Sequence, residues 1–206
     1  MPSRLILLLG GARSGKSALA ERLAARLAGA GDVLYVATAQ AGDGEMRARI
    51  TEHQRRRPAS WRTLESPYDL AAGIREQART ANVVLVDCLT VWVSNLMLRL
   101  VGDAETLTPA QEEIVMEALA DALAACRAVS ATCLLISNEV GLGLVPPYPL
   151  GRAYRDLLGR VNQRVAAAAD EAYLLVAGIP VDLKALASRD LMALLAGDTA
   201  GPGAGE

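Results

Sequence analysis

A glycine-rich segment near the start of the chain has the residue types that bind phosphate groups. Residues 10–17 read GGARSGKS, which satisfies the spacing G-x-x-x-x-G-K-S, between the apolar run Leu5–Leu9 and the helical pattern Ser17–Ala28. Glycines let backbone N–H groups turn towards phosphates, and a helix N-terminus favours negative charge. Lys16 is expected to reach the β- and γ-phosphates, and Ser17 to offer its hydroxyl to Mg²⁺. The predicted nucleotide-binding residues here are Gly10, Gly11, Ala12, Arg13, Ser14, Gly15, Lys16 and Ser17.

A carboxylate at the end of another apolar run complements this loop. The run NVVLVD ends in Asp87, and P-loop enzymes place an acid at the end of a buried strand, where it binds Mg²⁺ directly or through water. The alternative is that Asp87 caps the helix that begins near Leu89, which is a common role for aspartate. The presence of the phosphate loop favours the metal role.

The sole histidine of the chain lies among arginines. His53 occurs in EMRARITEHQRRRPASW, where Arg55, Arg56 and Arg57 follow it closely. A lone histidine and an arginine run in a polar stretch usually belong to a solvated helix surface. A neutral imidazole can also act as a nucleophile near physiological pH, and neighbouring guanidinium groups can hold a triphosphate and stabilise departing pyrophosphate.

Short apolar runs that alternate with longer helical patterns predict the fold class. Continuous apolar strands separated by helices indicate an α/β fold with a mainly parallel sheet covered on both faces, here a P-loop NTPase of the RecA-like kind. The chain length suits a single domain, predicted over residues 1–196, with a flexible tail over 197–206. Thr108 followed by Pro109 reads as a helix cap and first turn. The predicted strands are Leu5–Leu9, Val33–Ala37, Val83–Val86, Thr132–Ile136 and Tyr173–Val176, and the main predicted helices are Ser17–Ala28, Pro109–Ala128 and Arg152–Ala169.

The composition limits the classes of partner and compartment. Among 206 residues the net charge is −2, which gives no chain-wide reason to bind nucleic acid or an anionic membrane. The stretch Val83–Val101 is interrupted by Asp87 and Arg99 and fits a strand followed by a helix better than a membrane span. The cysteines form no CxxC pair, which favours reduced, buried thiols. We therefore expect a cytoplasmic protein without metal-binding cysteines, and the cysteines concerned are Cys88, Cys126 and Cys133.

Several motifs together resemble one enzyme family over roughly residues 5 to 185. They are GGARSGKS, YVATAQ, EMRARITEHQRRRP, VDCLT ahead of SNLML, SNEVGLGLVP and GRVNQRVAAAADE. In this order they resemble the bifunctional adenosylcobinamide kinase / adenosylcobinamide-phosphate guanylyltransferase of cobalamin biosynthesis. The phosphate loop alone is unspecific, whereas the histidine segment combined with NEVG and GRVNQR is close to diagnostic.

The resemblance implies a two-step reaction on a corrinoid substrate. A nucleoside triphosphate, ATP or GTP, phosphorylates the aminopropanol hydroxyl of adenosylcobinamide, and GMP from GTP is then joined to adenosylcobinamide-phosphate. The products are adenosylcobinamide-GDP and pyrophosphate. His53 matches the family's guanylylated histidine, and the resemblance also implies a trimer. Further positions match nucleotide contacts of the family: Ala37, Thr38, Ala39, Gln54, Arg55, Arg56, Arg57, Glu65 and Asp87.

Two other functions and several residue roles stay open on the sequence. A plain small-molecule kinase would leave His53 as a bystander, and a nucleotide-dependent switch or assembly ATPase would need a macromolecular partner. Asn138 and Glu139 follow a predicted strand and could face either the corrinoid or the nucleotide. Trp92 is expected in the core or a subunit interface, and packing is also favoured for Trp61, which could instead contact a base or a corrin edge.

Overall fold

The computed structural model describes residues 3–40, 42, 44, 51, 55 and 57–187. The strands among them are β1 (Arg4–Gly10), β2 (Val33–Ala37), β3 (Arg62–Glu65), β4 (Val83–Asp87), β5 (Thr132–Ile136), β6 (Glu171–Val176) and β7 (Ile179–Asp182). The helices are α1 (Lys16–Ala28), α2 (Leu70–Gln77), α3 (Leu89–Val101), α4 (Pro109–Ala128), α5 (Pro149–Ala168) and the short α6 (Leu183–Leu186), with a 3₁₀ turn at Ala78–Thr80.

These strands form one sheet in the order β3-β2-β4-β5-β1-β6-β7. Every neighbouring pair is parallel except the last, because β7 returns antiparallel to β6 through a tight turn. Strand β5 lies between β1 and β4, so the strand before the phosphate loop and the strand that ends at Asp87 are not neighbours. The predicted α/β fold with a mainly parallel sheet in a single domain is confirmed, and the separation of these two strands is a finding of the structure.

The two faces of the sheet are covered unequally by the described helices. Side chains of alternating residues in each strand point to opposite faces. Ile6 and Leu8 pack with Ala20 and Ala24 of α1 on one face. Leu5, Leu7 and Leu9 face the other side, where the buried residues of α2, α3, α4 and α5 complete the larger part of the core. The core is aliphatic, as the absence of phenylalanine requires, and Trp92 and Tyr35 are its large aromatic members.

The helix signals of the sequence agree with the structure, while the shorter elements were missed. Thr108 caps α4, with its side chain accepting from the Gln111 backbone N–H and the Gln111 side chain accepting in return from Thr108. The stretch 83–101 is a strand followed by a helix. Elements β3, α2 and β7 were not predicted, because each has at most eight residues and neither of the two strands is a continuous apolar run.

The cysteines and the membrane expectation can be checked over the described residues. All three cysteines are free; Cys126 and Cys133 are buried, whereas Cys88 is only partly buried, because it stands where β4 leaves the sheet. None of the helices described here combines the length and the apolar character that crossing a bilayer requires. The predicted tail over 197–206 lies outside the described residues.

Candidate active site

The predicted site residues gather at one edge of the sheet, where the parallel strands end. Glu65 of β3, Ala37 of β2 and Asp87 of β4 are register partners across three neighbouring strands. The phosphate loop leaves the same edge after β1, two strands beyond β4. Open α/β sheets bind ligands outside the carboxyl ends of their strands. With neighbouring strands about 4.8 Å apart, Glu65 and the β1 end are separated by four strand spacings, about 19 Å.

The phosphate loop is held in a shape that requires its glycines. Gly10 has φ +156°, and a Cβ there would lie 2.6 Å from Ser14 Oγ and 2.7 Å from the Leu175 carbonyl oxygen. Gly15 has φ +93° and precedes the first residue of α1. Two neighbouring segments bind the loop, because the Glu139 N–H donates to the Gly10 carbonyl at 3.1 Å and the Gly178 N–H donates to the Ser14 carbonyl at 3.0 Å. The predicted strand, loop and helix are therefore confirmed.

Lys16 lies inside this loop. Its side-chain amine donates to the Gly11 carbonyl at 2.7 Å and to Ser14 Oγ at 3.5 Å, and the residue is 7% exposed. Burial lowers the pKa of Lys16, while the charges of the nearby Cys88 and Asp87 groups act in the opposite direction. An ammonium group held by a loop carbonyl and a loop hydroxyl, and within the electrostatic influence of Asp87, is suited to receiving phosphate oxygens.

Asp87 is held by a tyrosine from the neighbouring strand. The Tyr35 hydroxyl donates to Asp87 Oδ2 at 2.7 Å, and Tyr35 is buried. Burial and the Asp87 charge raise the pKa of Tyr35, so this hydroxyl keeps its proton and remains a donor. The guanidinium carbon of Arg57 lies 3.4 Å from the centre of the Tyr35 ring. This series of contacts, from Arg57 through Tyr35 to Asp87, connects the arginine segment to the end of β4.

Asp87 does not cap the following helix. Helix α3 begins at Leu89, and its N-cap residue is Cys88, not Asp87. The peptide bond between Asp87 and Cys88 is cis. The structure therefore gives the N-cap position of α3 to Cys88, and the Asp87 carboxylate accepts from Tyr35.

Thr38 fixes the ends of β2 and β4 to each other. Its hydroxyl accepts from the Cys88 N–H and donates to the Cys88 carbonyl, both at 2.8 Å, and Thr38 is fully buried. The Asn95 side chain donates to the Thr38 carbonyl at 2.8 Å and to the Pro67 carbonyl at 3.1 Å. The Thr38 hydroxyl therefore holds the backbone at Cys88, next to Asp87. Ala37 and Ala39 beside Thr38 are partly exposed at the same edge.

A cavity of about 450 Å³ lies beyond Arg57. Its walls are Arg57, Pro58, Ala59, Trp61, Thr63 and Glu65. Trp61 packs against the core on the α1 face, so the packing role favoured for it is compatible with a second role as a wall of this cavity. Trp92 is buried in the core of the opposite face, with its indole N–H donating to the Tyr68 carbonyl at 2.7 Å.

The remaining predicted residues of the histidine segment are only partly described. His53, Gln54 and Arg56 lie outside the described residues, and Arg55 is exposed. The nucleophilic role of His53 and the contacts of these neighbours therefore stay predictions.

The connection after β5 forms the other flank of the site. The Asn138 N–H donates to Thr90 Oγ1 at 2.7 Å, and the Asn138 carbonyl accepts from the Asn162 side chain at 2.9 Å. The Ser137 hydroxyl donates to Asn162 Oδ1 at 2.6 Å. Glu139 accepts from the Gly141 N–H at 2.7 Å while its own N–H donates to Gly10. Glu139 thus braces the phosphate loop, Asn138 is held by Thr90 and Asn162, and both residues remain partly exposed.

Sequence reasoning missed three residues that order the site. Tyr35 and Thr90 look like ordinary members of a strand and a helix, and their partners Asp87 and Asn138 are 52 and 48 residues away. Asn162 carried a signal, because an asparagine among the apolar positions of a helix must find a partner when it is buried. Tyr35 and Thr90 have no feature in the neighbouring sequence that indicates their partners.

The fold and the loop define the class: a P-loop protein built to bind a nucleoside triphosphate. The model of the family described as cobinamide kinase / cobinamide phosphate guanyltransferase matches residues 6–183. The chain belongs to this family.

Curated relatives cover nearly the same region. The bifunctional adenosylcobalamin biosynthesis protein CobP of Pseudomonas aeruginosa is 48% identical over 178 residues, which are 86% of this chain and 96% of that protein. The bifunctional adenosylcobalamin biosynthesis proteins CobU of Salmonella typhimurium and Escherichia coli are 44% and 43% identical, each over 87% of this chain and 99% of theirs.

Proposed function

We propose that this chain phosphorylates adenosylcobinamide and then joins GMP to the resulting phosphate. The observation that carries the proposal is the line of groups along one sheet edge, from the Lys16 loop through Asp87 and Tyr35 to Arg57 and the Glu65 cavity. A kinase alone needs the loop and the carboxylate. The arginine and its cavity on the far side of Asp87 provide the second set of contacts that a nucleotidyl transfer needs. Membership of the family supports the same reaction.

In the first step the aminopropanol hydroxyl oxygen of adenosylcobinamide attacks the γ-phosphorus of the donor nucleotide. The bond from that phosphorus to the β–γ bridging oxygen breaks, the nucleoside diphosphate leaves, and the hydroxyl proton passes to solvent. Lys16 and the backbone N–H groups of residues 11–17 hold the phosphates through this change. ATP and GTP both suit these contacts, because the contacts are to the phosphates and not to the base.

In the second step a ring nitrogen of His53 attacks the α-phosphorus of GTP. The bond to the α–β bridging oxygen breaks and pyrophosphate leaves, and Arg57 would stabilise the charge of the departing pyrophosphate. A phosphate oxygen of adenosylcobinamide-phosphate then attacks the guanylyl phosphorus, the phosphorus–nitrogen bond breaks, and His53 is regenerated. The product is adenosylcobinamide-GDP.

We propose Ser17 and Asp87 as the residues that hold Mg²⁺. Their hydroxyl and carboxylate oxygens are the hard donors this ion prefers, and both lie at the edge where the phosphates would bind. Within the described residues no group of three or more His, Cys, Asp and Glu side chains forms a protein cage. This fits an ion that takes most of its ligands from phosphates and water. When bound, Mg²⁺ would neutralise phosphate charge.

Covalent labelling tests the proposal. The purified chain is incubated with GTP labelled at the α-phosphate and Mg²⁺, denatured, and treated with acid or base. We expect label that is acid-labile and base-stable, as a phosphorus–nitrogen bond requires, and that adenosylcobinamide-phosphate discharges into adenosylcobinamide-GDP. His53→Ala removes the only histidine and should abolish the label.

The matched control for this test is Thr51→Ala, an exposed position two residues earlier, which should keep the label. An unlabelled wild-type chain that still phosphorylates adenosylcobinamide would establish the plain kinase instead. Nucleotide hydrolysis stimulated only by a protein partner would establish the switch.

We further propose that copies of the chain assemble as a trimer in the cytoplasm. The family resemblance supports the trimer, and light scattering of the purified chain measures it directly. The three free cysteines support a reducing compartment.

A further inference from the structure

A second cavity of about 450 Å³ lies between the first half of α3 and the start of α5. Its apolar walls include Val91 and Leu98, and its polar walls include Ser94 and Asn95. Tyr148 and Tyr154 close the α5 side. This cavity takes no part in the nucleotide contacts described above.

The two cavities lie on opposite faces of the sheet. Asp87 continues the alternation of Val83 and Leu85, which pack on the α1 face, and Trp61 of the first cavity packs on that face too. Helices α3 and α5 cover the opposite face, where Trp92 and Leu157 are buried. A nucleotide that reaches from the loop to Arg57 would therefore leave the α3–α5 cavity free for the second substrate. In phosphoryl transfer the attacking oxygen approaches the phosphorus opposite the leaving group, so the acceptor needs a place of its own beside the phosphate loop.

The α3–α5 cavity begins close to the reacting groups. Thr90 in its wall is three residues from Asp87 and two from Cys88, and the Thr90 hydroxyl accepts from the Asn138 N–H beside the phosphate loop. Asn95 in the same wall donates to the Thr38 carbonyl behind Asp87. A ligand in this cavity thus rests on the same side chains that fix the end of β4.

The chemistry of the walls suits a corrinoid better than a small polar molecule. A corrinoid presents ring methyl groups and peripheral amides, which match the aliphatic side chains and the hydroxyl and carboxamide of Ser94 and Asn95. The loop beside the cavity exposes four large apolar side chains, with Leu144 at 96%. These side chains are Leu142, Leu144, Val145 and Tyr148. Such an apolar surface next to a catalytic edge commonly marks a binding site.

We propose that the α3–α5 cavity binds the aminopropanol-bearing side of the corrinoid acceptor and that the apolar loop 142–148 lies against its ring. This inference rests on the proposed function, since it takes a corrinoid as the acceptor. The cavity holds only part of so large a molecule, and the loop supplies the remaining contact area.

Blocking the cavity tests the proposal. Ser94→Phe places a large ring at a partly exposed wall position, and Ala120→Phe is the control on an exposed position of α4 outside the cavity. Adenosylcobinamide is titrated into each protein without nucleotide, with quenching of tryptophan fluorescence as the signal. The KM for adenosylcobinamide in the kinase reaction is then measured. We expect Ser94→Phe to raise the Kd and KM for the corrinoid by at least about tenfold, with labelling by GTP alone retained.

A second pair of variants keeps the test valid if Ser94→Phe fails to fold. Leu98→Asp changes a wall residue that is 59% exposed, and Ile114→Asp changes an α4 residue that is 49% exposed and outside the cavity. Only Leu98→Asp should weaken corrinoid binding.

Two results would overturn the inference. Corrinoid affinity that is unchanged in both wall variants would show that the acceptor binds elsewhere. A changed oligomeric mass in the wall variants but not in the controls would assign the cavity to a contact with a second copy of the chain. Failure of the proposed function is recognised separately, because it appears as missing label and missing corrinoid binding in the unaltered chain.

Discussion

The Tyr35 hydroxyl donates a 2.7 Å hydrogen bond to Oδ2 of Asp87, across two neighbouring strands at the edge that carries the phosphate loop. The same tyrosine ring lies under the guanidinium group of Arg57. One buried side chain thus orients the carboxylate proposed to hold Mg²⁺ and the arginine proposed to stabilise pyrophosphate. Its two contacts can be separated by mutation, because the hydroxyl makes one and the ring makes the other.

Tyr35→Phe should raise the Mg²⁺ concentration needed for labelling by GTP severalfold. The ring under Arg57 is kept, but the carboxylate loses the donor that orients it, with a loss of about 1 kcal/mol in the free energy of unfolding. A Mg²⁺ titration of the labelling rate measures the effect. Tyr173→Phe is the control, since it removes a similar 2.7 Å hydrogen bond to Glu171 in β6. An equal Mg²⁺ requirement in both variants would contradict the orienting role.

Lys16→Met should reduce both proposed activities by at least about 100-fold while leaving the protein as stable as before or more so. Burial lowers the pKa of Lys16, so the folded state disfavours its charge. The loss of stability caused by burying charged Lys16 is complete below the lowered pKa. It decreases as the pH rises through that pKa, because the unfolded chain then binds more protons than the folded chain does. Thermal unfolding at neutral and alkaline pH measures the difference in stability between Lys16→Met and the unaltered protein. This difference should be smaller at alkaline pH.

The other lysine of the chain provides the control for that prediction. Lys184 is exposed on α6, away from the phosphate loop. Lys184→Met should keep both activities, and a comparable loss there would show that the effect of Lys16→Met is not specific to the loop.

Asn162→Leu should lower the free energy of unfolding by about 2 kcal/mol or more. The change nearly preserves side-chain volume but removes the partners of the Ser137 hydroxyl and the Asn138 carbonyl, and Asn162 is 5% exposed. Urea unfolding monitored by circular dichroism measures the loss. The adjacent exposed Gln163 offers the control Gln163→Leu, which should change stability little. Similar losses in both variants would argue against the buried network.

Asp170→Asn should destabilise the protein at neutral pH and have little effect in acid. The carboxylate accepts from Arg127 and from the Leu5 N–H at the start of β1, and these bonds lower its pKa. A lowered folded-state pKa adds stability that is complete above the ordinary value of about 3.9 and is lost as the pH falls through the lowered pKa. Melting temperatures at several pH values measure this.

Asp121→Asn is the matched control for that carboxylate. Asp121 pairs with Arg75 through side chains on an exposed surface. Exposed ion pairs contribute little, so the melting temperature should fall less than in Asp170→Asn. The reverse order would contradict a role for Asp170 in holding the start of β1.

Much of the fold followed from local patterns. The five continuous apolar runs are all strands, and the phosphate loop joins β1 to α1 as its spacing predicted. Such runs are informative because a strand buried on both faces has apolar residues throughout. Strand β3 was not predicted, because it is at the edge of the sheet and half of its residues are exposed, so it has no continuous apolar run. It is held partly by Arg62, which donates to Asp32 Oδ2 at 2.7 Å from a distant part of the chain.

The candidate site was predictable in its chemistry but not in its arrangement. The sequence by itself determined the phosphate loop, the strand that ends at Asp87 and the family to which the chain belongs, because each motif concerned is a short continuous stretch of the chain. Only the tertiary structure decided that Tyr35 meets Asp87, that Arg57 lies over Tyr35, and that the α3–α5 cavity opens on the opposite face. Those contacts depend on strand order and on which face each side chain takes, and both are fixed when the helices bury the two faces of the sheet.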